Sequence, residues 1–142
     1  GLWREYYLRL GELVDAGGFE ILGHFDLVRR NKVGGRYFDE ESPDYLAAAL
    51  GVAAQLEGSP VVVEINLGGV TRGKLASPYP SLSVLRELHR RRVRITFCAD
   101  AHAPDHLGVH FQTARELAQA AGYRSVAVLS GGSWREVGID QT

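Results

Sequence analysis

Apolar residues follow two different spacings along this chain, and the two spacings alternate. Apolar positions three and four apart are typical of amphipathic helices, and they predict four helices, over residues 3–16, 44–57, 80–92 and 111–121. Short, nearly continuous apolar runs are typical of buried strands, and they predict a strand after each helix, around 21–22 and over 61–67, 93–98 and 125–129. A further short strand is predicted over 134–139. The chain therefore alternates helix and strand four times.

Small and polar residues mark the boundaries of these segments. Gly17-Gly18 ends the first helix, and Gly58 ends the second. Ser42-Pro43 is typical of an N-cap followed by the first residue of a helix. Polar or glycine-rich loops follow the first two strands, over residues 26–42 and 67–79. The predicted elements are therefore separated by ordinary helix stops and loops.

The alternating order predicts an α/β fold. Strands that follow one another through helices are parallel, and their helical crossovers are right-handed. Four such strands make either a small open sheet or about half of a (β/α) barrel. In both architectures ligands bind beyond the carboxyl ends of the strands. A functional site is therefore expected at that end of the sheet.

Polar side chains with metal-binding chemistry stand at three of these predicted strand ends. Each strand ends in two such residues, two positions apart: His24 and Asp26, Glu64 and Asn66, and Asp100 and His102. A strand period of two would turn the members of a pair to the same side. Imidazole and carboxylate ligands suit Zn, Mn or Fe. The pattern predicts one shared metal site above the sheet.

Ordinary structural roles remain open for each pair. Asp100 and His102 also fit a helix cap and a surface loop, because Pro104 and Asp105 make the following segment turn-like. The pair after the first strand also fits a hydrogen bond that holds a loop. Glu64 also fits an ion pair with a nearby arginine, or a partner for backbone groups.

Cationic residues in the two long loops favour an anionic substrate. These residues are Arg29, Arg30, Arg72 and Lys74. Arginine makes bidentate contacts with phosphate, and divalent metals clamp phosphate oxygens and lower the pKa of bound water. The alternative is that these charges are ordinary solvated side chains. The residues by themselves predict part of a metal-dependent phosphoester site.

Composition excludes several other classes of protein. The chain has 142 residues, of which 45% are hydrophobic and 23% charged, with a net charge of −1. One domain is expected at this length, and the charge gives no electrostatic argument for nucleic-acid or membrane partners. A single cysteine excludes an intrachain disulfide and favours a cytoplasmic location. The absence of methionine and the Gly1 start predict a trimmed or incomplete sequence.

Three of these motifs together resemble a known family. The segments 23–30, 64–66 and 100–102 are similar to the later motifs of the PHP (polymerase and histidinol phosphatase) superfamily, in its histidinol-phosphatase branch. The segments at 6–7, 77–81 and 108–111 also look familial. The resemblance extends over nearly the whole chain.

The resemblance implies a fold, a reaction and a set of roles. The family folds as a distorted (β/α)7 barrel with two or three divalent metal ions at its C-terminal face. It hydrolyses histidinol phosphate to histidinol and phosphate in histidine biosynthesis, by attack of a metal-bound hydroxide on phosphorus. By matching motifs, His24, Asp100 and His102 would bind metal. Arg72 and an arginine of the Arg29-Arg30 pair would bind the substrate phosphate. Asp26, Glu64 and Asn66 would shape the site.

The chain departs from the family at its beginning. The family's first motif, an N-terminal His-x-His with a nearby Asp, is absent, as are its middle His and bridging Glu. Residues 1–142 therefore look like a single domain that forms the C-terminal portion of the barrel. Such a half barrel favours pairing with the missing N-terminal segment or with another chain. A PHP phosphoesterase with another substrate, and a degenerate binding domain without catalysis, remain the alternatives.

Overall fold

A computed structural model describes residues 1–31, 39–73, 75 and 77–142 of the chain. Its helices are α1 (Leu2–Ala16), α2 (Pro43–Gln55), α3 (Gly68–Thr71), α4 (Leu82–Arg90) and α5 (Phe111–Ala121). Its strands are β1 (Ile21–Leu22), β2 (Val62–Asn66), β3 (Ile95–Cys98), β4 (Ser125–Ser130) and β5 (Ser133–Gly138). Short 3-10 helices cover Leu27–Asn31, Pro104–His106 and Ile139–Gln141. All four predicted long helices are confirmed, with ends that differ by a few residues.

The first three strands form the parallel sheet that the alternating pattern predicts. Their order is β1-β2-β3, and Ile21 pairs with Val62 while Val63 pairs with Ile95. Because the strands are parallel, their carboxyl ends at Leu22, Asn66 and Cys98 share one edge of the sheet. This shared edge positions the candidate site.

Serine caps explain where two of the helices begin. Ser42 Oγ accepts a hydrogen bond from Tyr45 N at 3.3 Å, as predicted from Ser42-Pro43. Ser81 Oγ accepts from Val84 N at 3.4 Å at the start of α4. Each cap satisfies a backbone N–H that has no partner within its helix. These starts are therefore determined by local sequence.

The helices pack on one face of the parallel sheet. Helix α1 contacts α2, α2 contacts α4, and α4 contacts α5. Val63 and Ile65 of β2 lie in the same buried cluster as Leu85 and Leu88 of α4. Since side chains alternate along a strand, Glu64 points to the opposite face. The core and the candidate site therefore lie on different sides of β2.

The fourth strand does not continue the parallel sheet within the described residues, so that prediction is wrong. Instead, β4 pairs antiparallel with β5, in register from Ser125 opposite Gly138 to Ser130 opposite Ser133. Gly131 and Gly132 connect them with φ of 58° and 80°. Positive φ at both central residues is the geometry of a two-residue hairpin turn. The architecture is mixed α/β, with a three-stranded parallel sheet and a separate hairpin.

Across the described part of the chain, no helix combines the length and the hydropathy that a membrane span requires.

Candidate functional site

Four polar side chains converge at the carboxyl ends of the parallel strands, and we call them the polar cluster: His24, Arg72, Asp100 and His102. Arg72 Nη2 donates to Asp100 Oδ2 at 3.0 Å, and its Nη1 donates to the Asp100 carbonyl oxygen at 3.0 Å. His24 Nε2 lies 3.7 Å from Asp100 Oδ2. His102 Nδ1 lies 3.9 Å from Asp100 Oδ1 and 2.7 Å from Arg72 Nη1. Asp100 is thus the centre of the cluster.

The carboxylate of Asp100 is held in its charged form. Partial burial raises its pKa, but the hydrogen bond and charge of Arg72, with the charges of His24 and His102, lower it more. The net result is an Asp100 pKa below its usual range. The cluster therefore presents an anion, a guanidinium and two imidazoles near neutral pH.

Glu64 and Asn66 support this cluster from β2. Glu64 Oε1 accepts hydrogen bonds from His24 N at 3.1 Å and from Asn66 Nδ2 at 2.8 Å. Asn66 Oδ1 accepts from Gly68 N at 2.9 Å, at the start of α3. These bonds connect β2 with the loop that carries His24 and with the helix that leads to Arg72. The site-shaping role of Glu64 and Asn66 stays a prediction.

The donor types of the cluster suit a divalent metal, but their number and pairing do not complete a metal site. Asp100, His24 and His102 offer one carboxylate and two imidazoles, which suit Zn, Mn or Fe. Arg72 contacts Asp100 Oδ2 and His102 Nδ1, two of the donor atoms that the cluster offers. Within the ranges that the structure describes, no group of three or more His, Cys, Asp or Glu is arranged to hold a metal ion.

Asp26 lies outside the polar cluster, in the core. Its side chain is 0% exposed, and its Oδ1 accepts hydrogen bonds from the hydroxyls of Tyr7 and Tyr45. Its Oδ2 accepts from Ser81 N at 3.1 Å. Burial raises the pKa of Asp26 more than the Arg29 charge and these hydrogen bonds lower it. These contacts match the alternative given above for the pair after the first strand, in which a hydrogen bond holds a loop.

The strand period explains the contact between Glu64 and Asn66 in β2, but not the arrangement of the other two pairs. Strand β1 ends at Leu22, and His24 and Asp26 have φ of 57° and 72°. Strand β3 ends at Cys98, and Asp100 has φ of 49°. These left-handed residues lie in turns, where alternation of side chains no longer applies. Asp100 and His102 meet because of the turn, while His24 and Asp26 point to different places.

The predicted phosphate-binding arginines have different surroundings. The Arg29 side chain is only 9% exposed. Its Nε donates to Glu40 Oε2 at 3.0 Å, its Nη1 to the Pro78 carbonyl at 3.1 Å, and its Nη2 to Ser77 Oγ at 3.1 Å. Arg72 is 24% exposed and lies in the cluster. The Arg30 side chain and residue 74 lie outside the described residues.

Two further residues shape the site without having been predicted. A Cβ atom on Gly68 would lie 2.4 Å from Asp100 Oδ2 and 2.5 Å from Arg72 Nη2, so only glycine leaves room for their ion pair. The Tyr6 hydroxyl donates to the His24 carbonyl and accepts from Leu27 N at 3.2 Å. The sequence signal available for Gly68 was the Gly68-Gly69 pair, which follows Leu67 just after β2.

A cavity of about 690 Å³ lies between the parallel sheet and the β4–β5 hairpin. Glu64, Thr96 and Cys98 line it from the sheet, and Val128 and Trp134 line it from the hairpin. Burial raises the pKa of the Cys98 thiol, which disfavours the reactive thiolate form. Glu64 thus borders both this cavity and the polar cluster.

Comparison with known proteins gives one partial match. No family model matches the chain. The chain is 30% identical over 128 residues to a probable histidinol-phosphatase of Deinococcus radiodurans. The match covers 89% of the chain and 45% of that protein, so the chain spans about half the length of its curated relative. The similarity supports a histidinol-phosphatase-like relationship.

Proposed function

We propose that the chain is part of a phosphomonoester hydrolase of the histidinol-phosphatase type, within the PHP superfamily. The reaction would convert histidinol phosphate and water to histidinol and phosphate, in histidine biosynthesis. The observation that carries the proposal is the polar cluster at the carboxyl ends of β1, β2 and β3, where α/β folds bind ligands. The similarity to a probable histidinol-phosphatase supports it independently. The free thiol of Cys98 agrees with a cytoplasmic location.

Arg72 is the residue that we assign to the substrate phosphate. Its guanidinium already contacts an anionic oxygen of Asp100 at 3.0 Å, and it is partly exposed. The planar guanidinium makes paired hydrogen bonds to phosphate oxygens as well as to carboxylates. A phosphate that approaches the cluster would therefore replace Asp100 as a partner of Arg72. For Arg29 the buried contacts favour a structural role, and phosphate binding by Arg29 would require it to leave them.

We propose that the whole site takes two or three divalent metal ions, of Zn, Mn or Fe. His24, Asp100 and His102 would supply part of the ligand set, because their nitrogen and oxygen donors suit these metals. The remaining ligands would come from an N-terminal segment or from another chain. The half-length match to the relative supports this arrangement. Asp26, Glu64 and Asn66 would act by holding the loops in place.

Metal analysis by mass spectrometry, together with phosphate release from histidinol phosphate, tests the proposal. We expect the 142-residue chain alone to hold little metal and to release little phosphate, and the addition of the N-terminal half to restore both. Asp100→Asn in the restored protein should lower metal content and activity while the circular dichroism stays unchanged. Asp105→Asn, an exposed acid five residues away, is the matched control.

Two outcomes would contradict the proposal. A complete gene product without metal and without turnover would remove the phosphatase assignment. An Asp100→Asn variant with unchanged metal content would remove Asp100 from the ligand set. Turnover of other phosphomonoesters in preference to histidinol phosphate would keep the reaction class and replace the substrate.

A second candidate is a PHP-like domain that binds phosphate without catalysis. The favouring observation is that Arg72 forms contacts with Asp100 and His102, so a cation already neutralises the carboxylate. Calorimetry with inorganic phosphate distinguishes the two functions. Phosphate binding that Arg72→Gln weakens roughly tenfold, in a complete protein with no turnover, would establish the second candidate.

A further inference from the structure

A second cavity, which we call the basic cavity, lies at the end of the fold opposite the polar cluster. Its volume is about 540 Å³. The side chains that matter for its chemistry are His89, Arg92, Arg94, Tyr123, Arg124 and Glu136. Arg94 directly precedes β3, and Arg124 directly precedes β4, so the cavity lies where these strands begin. The polar cluster lies where β1, β2 and β3 end.

The arginines of this cavity differ from their neighbours in having few partners. Arg90 and Arg91 form ion pairs with Glu87 at 2.6 and 2.7 Å. Arg92 and Arg124 form no ion pair with any carboxylate that the structure describes. Arg94 donates one hydrogen bond, from Nη2 to the Pro60 carbonyl oxygen at 2.9 Å. Glu87 thus neutralises Arg90 and Arg91, while Arg92, Arg94 and Arg124 form no ion pair with a described carboxylate.

Positive charge is concentrated at the basic cavity. Three guanidinium groups face one carboxylate, that of Glu136, which accepts a hydrogen bond from Ser125 Oγ at 2.8 Å. The whole chain has a net charge of −1, so general basicity does not explain this excess. A concave surface with charges of one sign concentrates its electrostatic potential and attracts counter-ions.

Backbone and ring contacts fix the walls of the cavity. The Tyr123 hydroxyl donates to the Val93 carbonyl at 2.7 Å, which ties the start of β4 to the start of β3. The His89 and Tyr123 rings pack edge to face, with centroids 4.9 Å apart. Arg92 N donates to the His89 carbonyl at 2.9 Å, and Arg92 adopts φ of 59°. The arginines therefore project from a framework that is already formed.

We propose that the basic cavity binds a small, multiply charged phosphate compound, of the pyrophosphate or nucleoside-polyphosphate class, at a site separate from the polar cluster. Guanidinium groups are the side chains best suited to phosphate oxygens. The volume lies within the range of small-molecule sites, which is about 300–1,000 Å³. Three arginines grouped at one concave surface suit a compact polyanion better than an extended nucleic-acid strand, which needs a basic track.

Isothermal titration calorimetry with pyrophosphate tests this site on the folded protein. Arg92→Gln and Arg124→Gln should each weaken binding roughly tenfold or more, because each removes a charged hydrogen-bond donor to phosphate. Arg86→Gln is the matched control, since Arg86 is exposed on α4 and does not line the cavity. Arg72→Gln should leave the pyrophosphate binding that depends on Arg92 and Arg124 unchanged within about twofold, because Arg72 does not line the basic cavity.

Glu136→Gln is expected to increase affinity, and partial unfolding of a variant cannot produce an increase. It removes the negative charge from the cavity, so pyrophosphate should bind about two- to fivefold more tightly at low salt. Affinity that is unchanged in the Arg92, Arg124 and Glu136 variants would overturn the proposal. So would loss of pyrophosphate binding in Arg72→Gln alone. Tighter binding of a single-stranded oligonucleotide, with the same dependence on Arg92 and Arg124, would assign the surface to nucleic acid and also overturn it.

Discussion

Asp26→Asn removes the charge from a carboxylate that holds several elements together. Asp26 accepts hydrogen bonds from Tyr7 of α1, from Tyr45 of α2 and from the backbone of Ser81 before α4. It lies two residues after His24 of the polar cluster. The substitution therefore tests whether this buried carboxylate stabilises the loop that carries a predicted metal ligand.

The size of the effect follows from the hydrogen-bond partners. Asparagine offers one oxygen and one NH2 group in place of two oxygens. If the oxygen faces the two tyrosines, the NH2 group faces the Ser81 N–H, which then lacks an acceptor. An unsatisfied buried donor costs about 1–3 kcal/mol, and loss of the charged acceptor adds to this. Arg29 keeps Glu40 at 3.0 Å, so its charge stays partnered. We expect a loss of about 2–4 kcal/mol in the free energy of unfolding.

Urea unfolding at pH 7, followed by far-UV circular dichroism, measures this loss. The midpoint should fall while the slope stays constant. Asp105→Asn is the control, and it should change stability by less than about 0.5 kcal/mol because Asp105 is exposed. In a double-mutant cycle, Asp26→Asn and Tyr7→Phe should be non-additive, because the two side chains are in contact. A loss below about 1 kcal/mol, or full additivity, would refute this account of the network.

The same variant has a predictable pH dependence. Burial raises the pKa of Asp26 in the folded protein, so the folded state binds its proton more tightly than the unfolded state does. This contribution to stability is fully present below the unfolded pKa and is lost as pH rises through the folded pKa. Asparagine has no such titration. The wild-type protein should therefore lose part of its stability advantage over Asp26→Asn as pH rises from the unfolded-state pKa of Asp26 to its higher folded-state pKa. A stability difference that stays constant over this pH range would contradict the raised pKa.

Four other substitutions have clear expected outcomes. Gly68→Ala places a Cβ atom 2.4 Å from Asp100 Oδ2, so it should lower the melting temperature by overpacking. Gly51→Ala on α2 meets no atom within 4 Å and should raise it. A shift of the same sign for both would contradict this geometry. Arg29→Gln should cost about 3–5 kcal/mol in urea unfolding, because it leaves buried acidic partners without their cation, whereas unchanged stability would favour a role in substrate binding alone. Ser42→Ala should cost about 1 kcal/mol in urea unfolding through loss of the α2 cap, and unchanged stability would contradict the cap. Its effect should not be fully additive with that of Asp26→Asn, because both side chains accept a hydrogen bond from Tyr45.

Local sequence determined the secondary structure of this protein to a large extent. Helix α5 spans Phe111–Ala121, as its apolar spacing and the following Gly122 predict. Ser42-Pro43 marks the start of α2, and the apolar run over 61–67 contains β2. These features depend on residues close together in the chain, because caps and side-chain periodicity act over a few residues.

The candidate site was only partly determined by the sequence. Polar residues at strand ends indicated His24, Asp100 and His102, because the ends of parallel strands meet at one edge. The predicted strand period holds for Glu64 and Asn66, which lie in β2 and contact each other. It does not hold for the other two pairs, since β1 and β3 end before those residues. The sequence therefore identified residues that lie together, but it did not predict the turns that bring them together.

Tertiary structure alone decided the partners of the charged residues and of the last strands. Arg72 pairs with Asp100, 28 positions away, and Arg29 pairs with the Pro78 carbonyl, 49 positions away. Strand β4 joins β5 instead of β3 because the Gly131-Gly132 turn returns the chain directly. The residue type gives the charge of a side chain, but the partner of that charge depends on loop conformation and on the packing of distant segments. The amino-acid sequence by itself therefore determined the helices, the strands and the chemistry available at their ends, and the fold decided which of these groups face one another.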